Sequence, residues 1–374
     1  MKVLFVATVR SHIGQFHIPT IKALKERGVE VHATFKDNSA QKPGLDLSCI
    51  DKVFEIPFDR SPFSLKNAEA YRQLKKVIEE NNYDAIHCNT PVGSVLSRLI
   101  AKNTDVKVIY TAHGFHFYKG CPVINRIVFY PIEKYLSKYT DALITINEED
   151  FSLAKSKFKM KKAFLVNGVG VDMSKFHKAD NEEKNLLRKQ YDISKDDFVL
   201  IYPANLTKGK NHEMLFQTLK IILKTDKNVK LLLPGETELL EDFKKRVKEL
   251  EIEKNVLFMG YRRDIEKLDA LSDVSVSSSK REGLPVNIIE AMACANPVVA
   301  TNVRGNRDLV ENDVNGCLVS VDDCESMAKC ILKIKNNRDI YEKYSQNSLK
   351  KSEKYSNENV VGQILDVYSY LRIL

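Results

Sequence analysis

The chain has 374 residues, of which 43% are apolar, and this length and composition predict two domains, each with its own core. No run of about eighteen apolar residues occurs, which argues against a membrane-spanning helix, and the short apolar run at residues 3–9 predicts a buried strand rather than a signal peptide. The formal charge of +8 is compatible with nucleic acid, an anionic membrane or acidic substrates, but no nucleic-acid-binding module is recognisable, so we expect a membrane surface and no nucleic acid.

The cysteine pattern indicates a reducing compartment. The chain has seven cysteines, an odd number, and none of them forms a C-x-x-C pair. We therefore expect free thiols and a cytoplasmic protein.

The first half of the chain alternates predicted strands and helices. Apolar runs predict strands at residues 3–9, 29–35, 85–88, 106–111 and 142–146. Apolar residues at helical spacing predict helices at residues 18–27, 66–81, 94–102, 123–138 and 149–158, the fourth of them kinked at Pro131. The strand-helix-strand order requires a parallel sheet with crossover helices.

Several segments of this half have two readings. The turn at residues 10–17 has one glycine where dinucleotide-binding proteins have G-x-G-x-x-G, so a dinucleotide is not expected here. His113 follows a predicted strand, where ligands meet such sheets, although a lone histidine is more often structural. The aromatic segment 115–118 is either core or an apolar lip. The five lysines within residues 155–162 are either a solvated helix end or a contact with anionic lipid.

The second half begins with residues 175–195, which are rich in charge and predict an exposed linker. A second series follows, with predicted strands at 198–203, 229–233, 256–259, 273–279, 298–300 and 318–319. Its predicted helices are at 214–224, 239–250, 265–271, 307–310 and 357–374, and a further helix begins at Val286. The chain is therefore predicted to be an α/β protein with two doubly wound parallel sheets.

The segment from residue 280 to residue 290 carries the strongest chemical signal. It follows a predicted strand, Gly283 allows a tight turn, and Pro285 suits the first turn of the helix that begins at Val286. The free N–H groups of a helix start bind anions, and Glu282 and Glu290 add a carboxylate on either side. A sugar nucleotide has hydroxyl groups on both sides of its diphosphate and fits this pattern; the alternative is two solvated glutamates.

Glu282-Gly-Leu-Pro followed by Glu290-Ala-Met-Ala resembles the E-x(7)-E signature of the retaining family 4 glycosyltransferases of GT-B fold. The resemblance implies two Rossmann-like domains that face a cleft. Residues 1–172 would bind the acceptor, residues 173–356 would bind the nucleotide sugar, and the helix at 357–374 would pack back on the first domain. Residues 7–19 resemble a subgroup that acts in capsule, exopolysaccharide and lipid-linked oligosaccharide pathways.

The resemblance also implies roles for individual residues. Glu282 would contact the transferred sugar, Glu290 the ribose, and His113 the donor sugar, while Lys210 would neutralise the diphosphate; the catalytic set is Glu282, His113 and Lys210. The full donor-binding set is Asn205, Lys210, Gly260, Tyr261, Arg262, Arg263, Glu282, Gly283, Leu284, Pro285, Val286 and Glu290. The acceptor-side set is Gly14, Gln15, His17 and His116.

The chain departs from the family pattern at three places. Asn205 stands where the family usually has an arginine, the Gly-Gly pair of the first loop is absent, and Val166 replaces a proline before the hinge. No D-x-D occurs, so we expect no metal and no cofactor. The nucleotide sugar, expected to be a UDP-sugar, is a substrate.

The predicted function is retaining transfer of a hexose or N-acetylhexosamine to a polyprenyl-diphosphate-linked saccharide, by an enzyme peripheral to the cytoplasmic membrane face. One alternative is a sugar-nucleotide epimerase of GT-B fold. The other is a non-catalytic basic protein that binds nucleic acid or anionic lipid.

Overall fold

The computed structural model describes residues 1–374, which form two compact units. Unit 1 comprises Met1–Gly170 together with Asn357–Leu374, and unit 2 comprises Val171–Ser356. The roles that the sequence analysis assigns to the two halves remain predictions.

Unit 1 is built on a seven-stranded parallel sheet in the order β3-β2-β1-β4-β5-β6-β7. Its central strands are buried on both faces, as parallel sheets covered by helices are, so they read as continuous apolar runs. The strands are β1 Lys2–Val9, β2 Glu30–Lys36, β3 Lys52–Glu55, β4 Ala85–Asn89, β5 Lys107–Ala112, β6 Ala142–Thr145 and β7 Lys162–Leu165.

Six helices of unit 1 precede the boundary: α1 Arg10–Phe16, α2 Ile18–Lys25, α3 Lys66–Asn81, α4 Pro91–Ala101, α5 Val123–Leu136 and α6 Glu148–Lys157. The prediction of a turn at residues 10–17 was wrong, because most of this segment is helix α1. Ile13 is buried in the core, and the Ser11 backbone N–H donates to Asn38 Oδ1 at 2.9 Å. Tertiary contacts therefore stabilise this short helix.

Unit 2 contains a six-stranded parallel sheet in the order β10-β9-β8-β11-β12-β13. Its strands are β8 Phe198–Ile201, β9 Val229–Pro234, β10 Val256–Gly260, β11 Val274–Ser277, β12 Val298–Thr301 and β13 Gly316–Val319. Its helices are α7 Asn181–Gln190, α8 His212–Ile222, α9 Leu240–Glu249, α10 Ile265–Leu271, α11 Val286–Ala293, α12 Asn306–Leu309, α13 Cys324–Lys335 and α14 Arg338–Ser352. The two predicted doubly wound sheets are thus confirmed.

Residues 175–195 are mostly exposed, as predicted, but they are not a simple linker, because they contain helix α7. The Asp180 side chain caps the helix, and Arg188 is buried. The Arg188 guanidinium donates to the Leu271 carbonyl and, at 2.6 Å, to Asp273 Oδ2. The charge-rich composition therefore did not predict helix α7, in which Arg188 pairs with Asp273 inside the unit.

The last helix, α15 Asn357–Tyr370, lies against the core of unit 1. Val360, Val367 and Tyr368 are fully buried, and the Tyr368 hydroxyl lies 2.9 Å from His87 Nδ1. The last eighteen residues therefore complete the core of the unit that the first residues begin.

Burial decides between the two readings of the aromatic segment 115–118. Phe115 and Phe117 are buried and stacked, with ring centroids 4.9 Å apart, so they belong to the core and do not form an apolar lip.

All seven cysteines are free thiols, as predicted. None of the helices combines the length and hydropathy that crossing a membrane requires.

Candidate functional site

The strand order of unit 2 reverses between β8 and β11, which are hydrogen-bonded neighbours in the sheet. In open parallel sheets, ligands bind beyond the carboxyl ends of the strands at such a reversal. The loops that leave these two strands here are residues 202–211 and 278–285. They contain Lys210 and Glu282, so the topology places both predicted site residues at the expected binding position.

Lys210 and Glu282 form an ion pair. The Lys210 Nζ atom lies 2.6 Å from Glu282 Oε1, and the side chains are 30% and 12% exposed, respectively. The Ser279 hydroxyl lies 2.5 Å from the same carboxylate oxygen and donates to it. The structure therefore brings two of the three predicted catalytic residues into direct contact.

Hydroxyl groups at the end of β11 hold the lysine loop in place. The Ser278 hydroxyl donates to the Lys210 carbonyl at 2.8 Å, and the Tyr202 and Ser279 hydroxyl oxygens lie 2.6 Å apart. The Lys280 backbone N–H donates to the Gly209 carbonyl at 2.9 Å. The small hydroxylated residues after this strand were the only sequence signal for these contacts.

The loop after β12 supports the turn that carries Glu282. Arg304 is buried, and its Nε donates to the Glu282 carbonyl at 3.1 Å. Gly305 has φ +80°, and a Cβ added there would lie 2.4 Å from the Gly283 carbonyl oxygen, so only glycine fits. Neither residue was predicted from the sequence as part of the site.

Helix α11 begins at Val286 and its N-terminus has no side-chain cap. Pro285 occupies the N-cap position, one residue before the predicted first helical position, and it is buried together with Leu284. Since the first N–H groups of a helix have no partner within it, this terminus can receive an anion.

Glu290 lies one turn into α11 and is half-buried. Burial raises the pKa of Glu290 to about 7; Lys175 opposes this rise in pKa and Glu266 adds to it. Burial, followed by the charges of Glu290 and Glu266, also raises the pKa of Asp269, whose carboxylate oxygens have no hydrogen-bond partner. Glu290 is therefore poised between its protonated and ionised forms at neutral pH.

A depression of about 740 Å³ in unit 2 brings together two of the other donor-side candidates, Asn205 and Gly260. The Asn205 side chain is exposed, and its Oδ1 accepts from the Glu236 backbone N–H at 3.4 Å. A Cβ added at Gly235 would lie 1.9 Å from the Ala204 carbonyl oxygen, so a glycine is required for the floor of this depression.

The three residues after Gly260 do not line this depression. Tyr261 and Arg263 are exposed. The Arg262 guanidinium is paired with Asp264, with 2.8 Å between Nε and Oδ1. None of these three side chains therefore lies in the depression that contains Asn205 and Gly260.

In unit 1, His113 follows β5 and lies beside histidines that follow β1. Its Nε2 is 3.2 Å from His12 Nε2 and 3.4 Å from Asn89 Oδ1. Burial lowers the pKa of His113 to about 4, and burial is also the main cause of the lowered pKa of His12 and of His17. The imidazoles are therefore neutral at pH 7. The sequence analysis did not select His12.

The acceptor-side candidates lie in different surroundings. Gly14 packs against Leu45, since an added Cβ would be 3.0 Å from Leu45 Cβ. Gln15 is exposed, His17 is 3% exposed, and the His116 ring lies 4.8 Å from that of Phe129. Of these four residues, only Gln15 is exposed.

Two family models match the chain. The model "Glycosyl transferases group 1" matches residues 183–351, and "Glycosyl transferase 4-like" matches residues 2–147. EpsD of Bacillus subtilis is 39% identical over 372 residues, which cover 98% of this chain and 96% of EpsD. The chain belongs to the glycosyltransferases. The predicted family resemblance is confirmed, because each half of the chain matches a glycosyl transferase model.

Further relatives of this glycosyltransferase agree in length and fold. An Escherichia coli UDP-Gal:alpha-D-GlcNAc-diphosphoundecaprenol alpha-1,3-galactosyltransferase is 26% identical, with 88% of this chain and 86% of the relative covered. The Anabaena HepE structure with UDP and glucose superposes with a TM-score of 0.82 at 20% identity, covering 99% of this chain and all of HepE. The predicted GT-B fold is confirmed.

The raised pKa of Glu290 predicts a pH-dependent effect of Glu290→Gln on stability. The Glu290 carboxyl has a pKa of about 4.3 in the unfolded chain and of about 7 in the folded protein. The wild-type protein therefore loses stability as the pH rises through this window. Glu290→Gln should match wild type at pH 4 and be more stable at pH 8, by about 1 to 3 kcal/mol, in denaturant titrations.

Glu253→Gln is the control, because Glu253 is exposed and precedes β10, an edge strand that β9 and β8 separate from β11. It should leave stability unchanged at both pH values. A Glu290→Gln effect that is equal at pH 4 and pH 8 would show that the Glu290 carboxyl is not buried in its protonated form.

Proposed function

We propose that this glycosyltransferase moves a hexose or N-acetylhexosamine from a UDP-sugar to a polyprenyl-diphosphate-linked saccharide, with retention of anomeric configuration. The observation that carries the proposal is the Lys210–Glu282 ion pair at the strand reversal of unit 2, in the loops beside the uncapped start of α11. We further propose that the pathway is the assembly of a surface polysaccharide or a lipid-linked glycan.

The donor diphosphate would replace Glu282 as the ion-pair partner of Lys210. In the absence of donor, the lysine charge is balanced by Glu282. A diphosphate that binds the N–H groups at the start of α11 carries more negative charge than the carboxylate and competes for the same ammonium group. Ser279 continues to donate to Oε1 of Glu282, the oxygen that Lys210 leaves, and the carboxylate accepts from the hydroxyl groups of the transferred sugar.

Glu290 would accept hydrogen bonds from the ribose. The ionised carboxylate accepts hydrogen bonds more strongly than the protonated acid, so nucleotide binding should lower the pKa of Glu290 and release a proton near neutral pH. The half-buried position of Glu290, which opposes ionisation in the free enzyme, makes this contact strong once it forms.

Relatives support UDP as the nucleotide. The E. coli relative is named for UDP-Gal, and HepE has been solved with UDP and with UDP-glucose. A relative from Campylobacter jejuni, 25% identical over 97% of this chain, is named as an N-acetylgalactosaminyltransferase acting on a diphospho-undecaprenol-linked sugar. A capsular polysaccharide glycosyltransferase, CapM of Staphylococcus aureus, is 25% identical over 93% of this chain.

In the proposed reaction, the bond between the sugar C1 and the diphosphate oxygen breaks, and a bond from C1 to the acceptor oxygen forms on the same face. The acceptor hydroxyl gives its proton to the departing diphosphate. Lys210 and the α11 terminus stabilise the charge that develops on the leaving group, so we propose that no metal or cofactor takes part. His113, as a neutral imidazole, hydrogen-bonds the sugar without adding charge.

A surface of unit 1 supports the membrane part of the proposal. On helix α5, three apolar residues are largely exposed to solvent: Val123 is 73% exposed, Ile124 62% and Ile127 63%. The five lysines between residues 155 and 162 are also exposed. Their segment packs against α5 and its end, because the Phe158 and Tyr130 rings lie 5.9 Å apart and the Lys159 N–H donates to Ser137 Oγ at 2.9 Å. Apolar side chains beside lysines are the composition expected for docking on anionic lipid.

The donor-site assignment predicts different defects for the two glutamates. Glu290→Ala should weaken UDP binding by about 1.5 to 3 kcal/mol, because a hydrogen bond to a charged group is lost. Glu282→Ala should lower kcat yet bind UDP at least as tightly as wild type, because Lys210 is no longer neutralised by a carboxylate. Calorimetry with UDP and initial-rate kinetics with the UDP-sugar, both in EDTA, measure the two effects.

Lys210→Gln should lose UDP affinity, whereas Lys208→Gln, two residues away and exposed, should lose less. Wild-type kinetics in both glutamate variants would refute the site. Turnover that disappears in EDTA and returns with Mn²⁺ would refute the metal-free part of the proposal.

The membrane assignment predicts co-sedimentation of the protein with anionic liposomes at low salt. Each lysine near the surface contributes about 1 kcal/mol, so replacement of Lys157, Lys159, Lys161 and Lys162 by glutamine should lower the partition coefficient more than about tenfold. The matched control carries the same four charge changes on exposed lysines of unit 2, namely Lys224, Lys227, Lys244 and Lys245. This control should pellet like wild type. Failure of wild type to pellet would favour a soluble acceptor.

A further inference from the structure

Three histidines of unit 1 converge from two distant parts of the chain. His12 lies in α1, His17 follows α1 directly, and His113 follows β5. One ring nitrogen from each lies within 4.8 Å of those of the other two. The ring centroids are 4.6 to 5.9 Å apart.

His17 is the anomalous member of this cluster. It is 3% exposed, and neither of its ring nitrogens has a hydrogen-bond partner. The neighbouring His87, also buried, has both nitrogens satisfied, by the Tyr368 hydroxyl at 2.9 Å and the Thr111 hydroxyl at 2.8 Å. Buried polar groups without a partner are rare in native proteins, and a ring nitrogen of His17 is available to coordinate an ion.

We propose that His12, His17 and His113 form a binding site for a divalent transition-metal ion, with Zn²⁺ as the preferred ion. Neutral imidazole nitrogens are the ligands that Zn²⁺, Cu²⁺ and Ni²⁺ accept, whereas Mg²⁺ and Mn²⁺ prefer oxygen. Zn–N distances of about 2.0–2.1 Å place tetrahedral ligand atoms roughly 3.3 Å apart. The two Nε2 atoms of His12 and His113 are already 3.2 Å apart.

Small movements complete the site. The nitrogen of His17 has to approach the other two from within 4.8 Å to the tetrahedral spacing. The proton shared between the Nε2 atoms of His12 and His113 has to move to an Nδ1 atom, which leaves both rings neutral. Three protein ligands leave a fourth coordination position for water or an anion, as in open zinc sites.

This inference goes beyond the proposed function, because it requires neither a nucleotide sugar nor an acceptor. The transfer proposal uses His113 as a free imidazole. If the proposed function holds, a metal ion on His113 would therefore oppose transfer. The test below measures metal binding alone and does not depend on transfer.

The test measures metal binding to the full chain with Zn²⁺ alone, after EDTA treatment and desalting. Equilibrium dialysis should find one tightly bound Zn²⁺ per wild-type chain and no Mg²⁺ at the same concentration. Loss of an outer-shell partner alone costs about 10- to 100-fold in metal affinity, so His17→Leu and His12→Ala should each weaken binding by at least that factor. His177→Ala is the control, since His177 is half-exposed and lies in unit 2.

Substitution with Co²⁺ identifies the ligands. Visible absorption typical of tetrahedral Co²⁺ with nitrogen ligands supports the site, and thiolate charge-transfer bands would overturn it by placing the ion on cysteine. Absence of Zn²⁺ binding by wild type, or equal loss in His177→Ala, would also overturn it. If circular dichroism shows that His17→Leu does not fold, His12→Ala decides, because His12 is only half-buried on a surface helix.

Discussion

The ion pair between Lys210 and Glu282 depends on the point at which the strand order of unit 2 reverses. Only there do the loops after two neighbouring strands, β8 and β11, leave the sheet on opposite sides and open a space between them. Ser279 fixes the carboxylate, and Arg304 with Gly305 fixes the turn beneath it. The charge of Lys210 is therefore balanced by Glu282 within a turn that other side chains hold in place. In the proposed function, a donor diphosphate replaces Glu282 as the partner of Lys210.

Burial gives the remaining groups of the two units their chemical character. Glu290 and Asp269 are kept near or in their protonated forms in unit 2, while the histidines around His113 are kept neutral in unit 1. Both effects have one cause, since low-dielectric surroundings disfavour whichever form is charged. In the proposed reaction, the leaving group carries the negative charge, Glu290 ionises when nucleotide binds, and the imidazoles stay neutral.

The sequence predicted those parts of the fold and site that are encoded locally. The turn and helix from Glu282 to Glu290 lie within one short segment, and the parallel sheets follow from alternating apolar runs. Lys210 was found only through a family resemblance, because its partner is 72 residues away. Arg304, Gly305 and His12 were missed since tertiary packing alone brings them to the sites. Helix α7 within residues 175–195 was not predicted, because the buried pairing of Arg188 cannot be recognised from composition.

The most direct test of the central claim is a crystal structure of the enzyme with UDP. The account predicts diphosphate oxygens about 2.7–3.1 Å from Lys210 Nζ and from a backbone N–H at the start of α11, with the ribose hydroxyls on Glu290. It also predicts that Lys210 has moved away from Glu282. A diphosphate held by a divalent cation, with the Lys210–Glu282 pair intact and Glu290 without contact to the ribose, would contradict it.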